Sequence, residues 1–169
     1  MKRLLVFVLA LTFGAIALKA QGTAYINTET ILNKMPEYIV AQQQLERMKN
    51  QYEAQFQAEL NVIQDLFNQY QQERPRMNET QRMAKERDII TRERDLKERQ
   101  REVFGENGVM FNNSKELLDP IRERLQVVID AVAKQAGVAL VIDITVLQGI
   151  VYRDPKADLT PLVLSKLKL

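Results

Sequence analysis

From Glu37 to Glu73 the chain contains neither glycine nor proline, and residues 40–73 are rich in Gln, Glu, Ala and Leu. These are good helix formers. Apolar side chains recur at Leu45, Met48, Tyr52, Phe56, Leu60, Ile63, Phe67 and Tyr70, in steps of three and four that place them on one helical face. Pro36 suits the first position of that helix, where a missing N–H costs nothing. At 1.5 Å per residue the segment reaches roughly 55 Å. A body of this size cannot cover so long a helix, so the stripe needs a partner of similar length.

The residues after Glu73 supply that partner. Glu73-Arg74-Pro75-Arg76-Met77-Asn78 interrupts the pattern, and Pro75 disfavours helical geometry at the residue before it. Asn78 is placed to cap a second helix, with Gln81 reaching back. That helix is expected from about Glu79 to Asp119. It carries Ile89, Leu96, Val103, Met110 and Leu117 at sevenfold spacing, with Phe104, Phe111, Leu118, Leu125 and Val132 as a parallel series. Such repetition marks a supercoiling pair.

Two features favour reversal at Pro75. Pro36 and Pro120 are nearly equidistant from it, and Asp119-Pro120 reads as a cap and first-turn proline opening a new helical segment. Residues 37–73 hold six acids and two bases, whereas residues 74–101 hold ten bases and six acids. Arms of opposite sign attract when they lie side by side.

The flanking segments have a different grain. Thr23 to Asn27 reads as a strand after Gly22, and Thr28 to Lys34 as a short helical turn. Ile121 to Gln135 is amphipathic and ends at Gly137. Val138 to Ile142 reads as a buried strand and Gly149 to Tyr152 as another. Thr160-Pro161 opens a last helix with Leu162, Leu164 and Leu167 as its contacts. The expected class is α+β and mostly helical: a long antiparallel helical hairpin, residues 36–119, on a small β-containing body built from residues 21–35 and 120–169. Three short strands leave open edges, which oligomerisation would cover.

The N-terminus adds a location. Lys2 and Arg3 precede an apolar run from Leu4 to Leu18, and Ala20 offers a cleavage point. Residues 1–20 therefore read as a secretory signal peptide. Removing Lys2, Arg3 and Lys19 leaves 21 basic against 22 acidic residues, so a nucleic-acid-binding role is not indicated. The chain has no Cys and no His, which removes thiol chemistry, imidazole acid–base catalysis and the usual zinc ligand sets. No dinucleotide, P-loop or nucleophile-elbow motif is present. The chain is not expected to be an enzyme or to carry a cofactor.

The leader, the strand Thr23 to Asn27, the Gln- and Glu-rich arm, the run Gly137 to Tyr152 and the ending Asp158 to Leu164 resemble the Skp/OmpH family of periplasmic chaperones. The resemblance implies a homotrimer with a β-barrel body and three helical tentacles around a cavity. It implies nucleotide-independent holding of unfolded outer-membrane proteins. Family members are strongly basic and this mature chain is near neutral, so no lipid-contact residues are carried over. A coiled-coil spacer of the cell envelope is the competing reading.

A holding surface needs reachable apolar groups. Tyr52, Phe56, Phe67 and Tyr70 on the first arm, with Met77, Met83 and Ile89 on the second, are the candidate client contacts; the same spacing also suits the seam between the arms. Methionine adapts to varied partners. Gly105 and Gly108, which weaken a helix interior by about 1 kcal/mol each relative to Ala, mark a candidate hinge or a close helix–helix approach, and Pro75 marks the tip.

Overall fold

The computed structural model describes residues 22–169; the expected signal peptide lies outside them. The element order is β1 (Thr23–Ile26), α1 (Thr28–Leu32), α2 (Pro36–Glu73), a 3₁₀ turn (Arg74–Arg76), α3 (Glu79–Phe104), α4 (Val109–Ala136), β2 (Leu140–Asp143), a second 3₁₀ turn (Pro155–Ala157) and α5 (Thr160–Leu167). Two compact units result: residues 32–126, and residues 22–31 with 127–169.

The first unit contains the hairpin. Pro36 opens α2 at its first turn. The chain reverses through the 3₁₀ turn at Pro75, after which Asn78 and Gln81 form a reciprocal capping box at the start of α3. Contrary to expectation, Arg74 stays right-handed helical, its N–H bonded to the Tyr70 carbonyl. A following proline disfavours that geometry without forbidding it, and reversal is completed at Met77 and Asn78, both extended. Pairing is antiparallel: Phe56 meets Phe104, Glu59 meets Arg99 and Tyr70 meets Glu86.

Two expectations for the returning strand of the hairpin need correction. The helix does not run unbroken to Asp119, since it stops at Phe104 and restarts at Val109. Gly108 N–H closes a turn onto the Gly105 carbonyl at 3.0 Å, with Asn107 left-handed at φ 57°. Nor does Pro120 start a helix, because it lies inside α4. Leu118, Ile121 and Leu125 are buried on either side of it, and that continuous burial carries the helix past the missing N–H. Asp119 pairs with Arg122 at 3.2 Å instead of capping.

The second unit centres on β1. It pairs in parallel with β2, in the register Thr23 with Leu140 through Ile26 with Asp143. On its other side Tyr25 bridges Asp158, and its carbonyl accepts from Leu159 N–H at 2.9 Å. Gly137, at φ +68°, ends α4 in a Schellman arrangement, with Gly137 N–H bonded to Lys134 and Val138 N–H to Ala133. The third expected strand is not formed: residues 149–152 have no regular structure, and Val151 is 100% exposed. β1 is already bonded on both sides, and this segment does not reach the free edge of β2. In α5 the buried residues are Thr160, Val163 and Leu167, while Leu162 faces outward.

Asp143 closes β2 and ties it to α1. Its carboxylate accepts from the Thr28 hydroxyl at 2.6 Å, the Thr28 N–H at 3.3 Å and the Thr145 N–H at 3.0 Å. Burial pushes this carboxyl up, and the hydrogen bonds from Thr28 and Thr145 outweigh it, leaving it below the ordinary carboxylate range. A depressed folded value stabilises above the unfolded value of about 3.9 and is lost as pH falls through the folded one. Asp143→Asn is therefore expected to lower the urea midpoint of this unit at pH 7 and to narrow its gap from the parent as pH falls below about 4. Parallel midpoint-against-pH curves for parent and variant would contradict the assignment.

Candidate functional site

The hairpin separates its apolar residues into a buried seam and an exposed strip. The seam consists of Phe56, Ile63, Tyr70, Ile89, Leu96 and Val103, with Tyr52, Leu66, Met77 and Met110 packed against it. Along α2 the contact positions advance as 52, 56, 59, 63, 66 and 70. The alternation of four and three keeps a fixed line facing the partner helix. It leaves out Leu60 and Phe67, which the simple helical stripe had included and which are exposed.

This sorts the seven candidate contacts. Phe56, Tyr70 and Ile89 lie in the seam; Tyr52 and Met77 are half-buried against it; Phe67, at 40%, and Met83, at 50%, are open to solvent. Pro75 sits in the 3₁₀ turn between α2 and α3. The seam carries polar fasteners. The Tyr70 hydroxyl donates to the Glu86 carboxylate, and this hydrogen bond, then burial, holds the phenol above its ordinary range. Arg99 grips Glu59 with its two terminal guanidinium nitrogens, and Arg124 reaches Glu37 at 2.7 Å.

The opposite charges of the arms are used sparingly across the pair. Arg82, Arg92 and Arg94 bond to Glu79, Asp88 and Asp95 of their own helix. Exposed pairs of this kind contribute little stability. Several α3 cations thus stay at the surface.

The two faces of the hairpin differ. On one, Ala58, Glu59 and Val62 of α2 border a shallow groove with Arg92, Asp95 and Arg99 of α3. On the other, Phe104 lies edge-on to Phe56, with ring centroids 5.9 Å apart, and to Tyr52 at 6.4 Å. Leu60 is one turn beyond Phe56, and Phe67 two turns beyond Leu60. Met83, Ile90 and Phe104 share one line along α3, and Ile90 is 63% exposed. This face therefore displays Leu60, Phe67, Met83, Ile90 and Phe104. Leu60, Ile90 and Phe104 were not among the sequence candidates for contact. The signal that identifies them is their place one residue beyond a seam position.

Gly105 and Gly108 answer to their own backbone. A Cβ at Gly105 would stand 2.3 Å from the Arg101 carbonyl oxygen, and one at Gly108 would stand 2.6–2.9 Å from the carbonyl oxygens of Glu102, Val103 and Gly105. The glycines are needed for the turn between α3 and α4 and do not lie in a helix interior.

Among the described residues no group of His, Cys, Asp and Glu suits a metal ion, and no helix is long and apolar enough to cross a membrane. Comparison with known proteins gives a family and a fold. Residues 22–167 match the family model described as outer membrane protein (OmpH-like). A solved structure of a candidate outer membrane chaperone (OmpH-like) from Caulobacter crescentus CB15 is similar at 11% sequence identity and a TM-score of 0.66, covering 86% of this chain and 83% of that one. No curated protein matches the chain.

Proposed function

The chain belongs to the OmpH-like family of outer membrane proteins, and from that membership we propose that it is a nucleotide-independent holding chaperone of the periplasm that keeps unfolded outer-membrane β-barrel proteins from aggregating. The observation that carries this reading is the exposed strip of Leu60, Phe67, Ile90 and Phe104 on a hairpin whose own seam is already filled. Apolar groups set singly among Gln, Asn and charged residues give many weak contacts and no large sticky patch. The working form is a homotrimer: the open edge of β2 and the apolar segment Val146 to Tyr152, exposed in one chain, are covered by neighbouring copies and complete a barrel. The turn at Gly105–Gly108 serves as the flexing point that fits the hairpins to clients of different size. Residues 1–20 act as the export signal and are removed after Ala20.

The test is light scattering from several unrelated barrel proteins diluted out of denaturant, without nucleotide. The mature chain is expected to suppress their aggregation. The variant Leu60→Ser/Phe67→Ser/Ile90→Ser is expected to lose most of that suppression, more than its modest loss of thermal stability explains. Failure of the parent with every client would overturn the reading and favour an envelope spacer with one fixed partner.

A further inference from the structure

The turn between α3 and α4 carries the sequence Glu106-Asn107-Gly108, and Asn107 is the one asparagine of the chain that precedes a glycine. That pair has a chemistry of its own. Asparagine is thermally labile, because the main-chain nitrogen of the next residue can attack its side-chain carbonyl carbon. A glycine in that next position has no Cβ to obstruct the approach.

Three features of the turn bear on this reaction. The Asn107 side chain is exposed, and its carboxamide has no hydrogen-bond partner among the described residues. The Gly108 N–H, the attacking group, donates to the Gly105 carbonyl at 3.0 Å, which restrains it until that bond opens. Against this restraint, Nδ2 of Asn112 donates to the Asn107 main-chain carbonyl at 3.0 Å. That carbonyl belongs to the same peptide group as the Gly108 nitrogen. When the nitrogen gives up its proton, negative charge spreads onto this oxygen, and a donor already aimed at it stabilises the reactive form. Asn112 is held over the turn by its own N–H, which bonds to the Gly108 carbonyl at 3.0 Å. Asn113 lies inside α4, precedes Ser114 and spends its Nδ2 on the Val109 carbonyl at 2.8 Å.

We propose that Asn107 is a site of spontaneous deamidation, promoted by the Asn112 side chain. The Gly108 nitrogen loses its proton to hydroxide and bonds to Cγ of Asn107. The Cγ–Nδ2 bond breaks, the departing nitrogen takes a proton from water, and ammonia leaves a five-membered imide. Water then adds to either imide carbonyl and breaks that carbon's bond to the ring nitrogen, giving isoaspartate or aspartate. Aspartate puts a carboxylate just before the first turn of α4, where a helix N-terminus favours negative charge. Isoaspartate lengthens the main chain by one carbon, in a turn where even a Cβ on Gly108 would meet three carbonyl oxygens, so the turn must open. The chain thus ages at the point where the returning arm of its hairpin is interrupted. This inference does not depend on the holding reading.

Peptide mapping of the full mature chain, incubated at mildly alkaline pH in native buffer and in urea, tests it. Trypsin releases residues 102–115 as one peptide, and fragmentation assigns the mass gain of amide-to-acid conversion to a position. In native buffer the acid is expected at Asn107 before Asn112 or Asn113. Asn112→Ala is expected to slow that conversion about fivefold, as for loss of one hydrogen bond to developing charge, and to leave the rate in urea unchanged. A merely structural role for Asn112 would act in the opposite direction, since loosening the turn frees the Gly108 N–H and speeds attack. Asn113→Ala is expected to keep the parent rate. A native chain that gains no acid at Asn107 while the urea-unfolded chain converts would overturn the proposal. So would an Asn112→Ala chain that converts in native buffer as fast as the parent or faster.

Discussion

Replacing Phe56 with alanine is expected to destabilise the hairpin by about 3–5 kcal/mol, the cost of emptying a buried aromatic site. Its ring is packed in the seam and lies against Tyr52 and Phe104. Truncation there leaves a void midway along a two-helix contact with few other layers to share the loss. Phe67→Ala, eleven residues on, removes the same atoms from a partly exposed position and is expected to cost no more than about 1 kcal/mol. Urea titration followed by far-UV circular dichroism measures both. Equal shifts would mean that the two rings share one environment, and the division between seam and strip would fail. Their functional effects should run the other way, with Phe67→Ala weakening client holding more than its small loss of stability explains.

Gly108→Ala is expected to destabilise the α3–α4 junction by roughly 1–3 kcal/mol, as for other substitutions that force atoms into filled space. Three carbonyl oxygens surround the place its Cβ would take. None is the end of a flexible side chain, so relief requires the backbone to move. The loss should be local: amide exchange across residues 101–112 should quicken while the tip around Asn78 keeps its protection. Gly22→Ala, with nothing within 4 Å of the new methyl, is the control and should stay within about 0.5 kcal/mol of the parent. Unchanged exchange in the Gly108 variant would show that the junction already relaxes to admit a side chain.

The punctuation of the hairpin was legible in the sequence because single residues dictate it. Pro36 opens α2, the Asn78–Gln81 box opens α3 and Gly137 closes α4, each through backbone groups that few side chains satisfy. The line of contact was harder to see. A 3.6-residue stripe drifts from a 3.5-residue seam by only about 20° per heptad, and Glu59 holds a seam position as an ion-pair partner of Arg99, so hydropathy points to Leu60 instead. Pro120 misled because local propensity argued for a boundary where apolar residues on both sides favour continuity. Gly149 to Tyr152 has the composition of a strand, but pairing is a property of two segments, and this one does not reach the free edge of β2. In α5 a helix of eight residues has too few turns for spacing alone to choose between Leu162 and Val163.

The parallel pairing of β1 and β2 has a consequence for how the protein is made. Thr28 and Asp143, which seal that end of the sheet, are 115 residues apart, and the other neighbour of β1 comes later still, at Asp158. In a chain exported N-terminus first, as proposed above, the first strand crosses before either partner and waits until the residues up to Asp143 have followed it. The hairpin, whose contacts close around a tight turn, needs no such wait and can form as it emerges. Nucleation is thus separated in time from sheet closure, and throughout that interval a protein read as a guardian of unpaired strands carries one of its own.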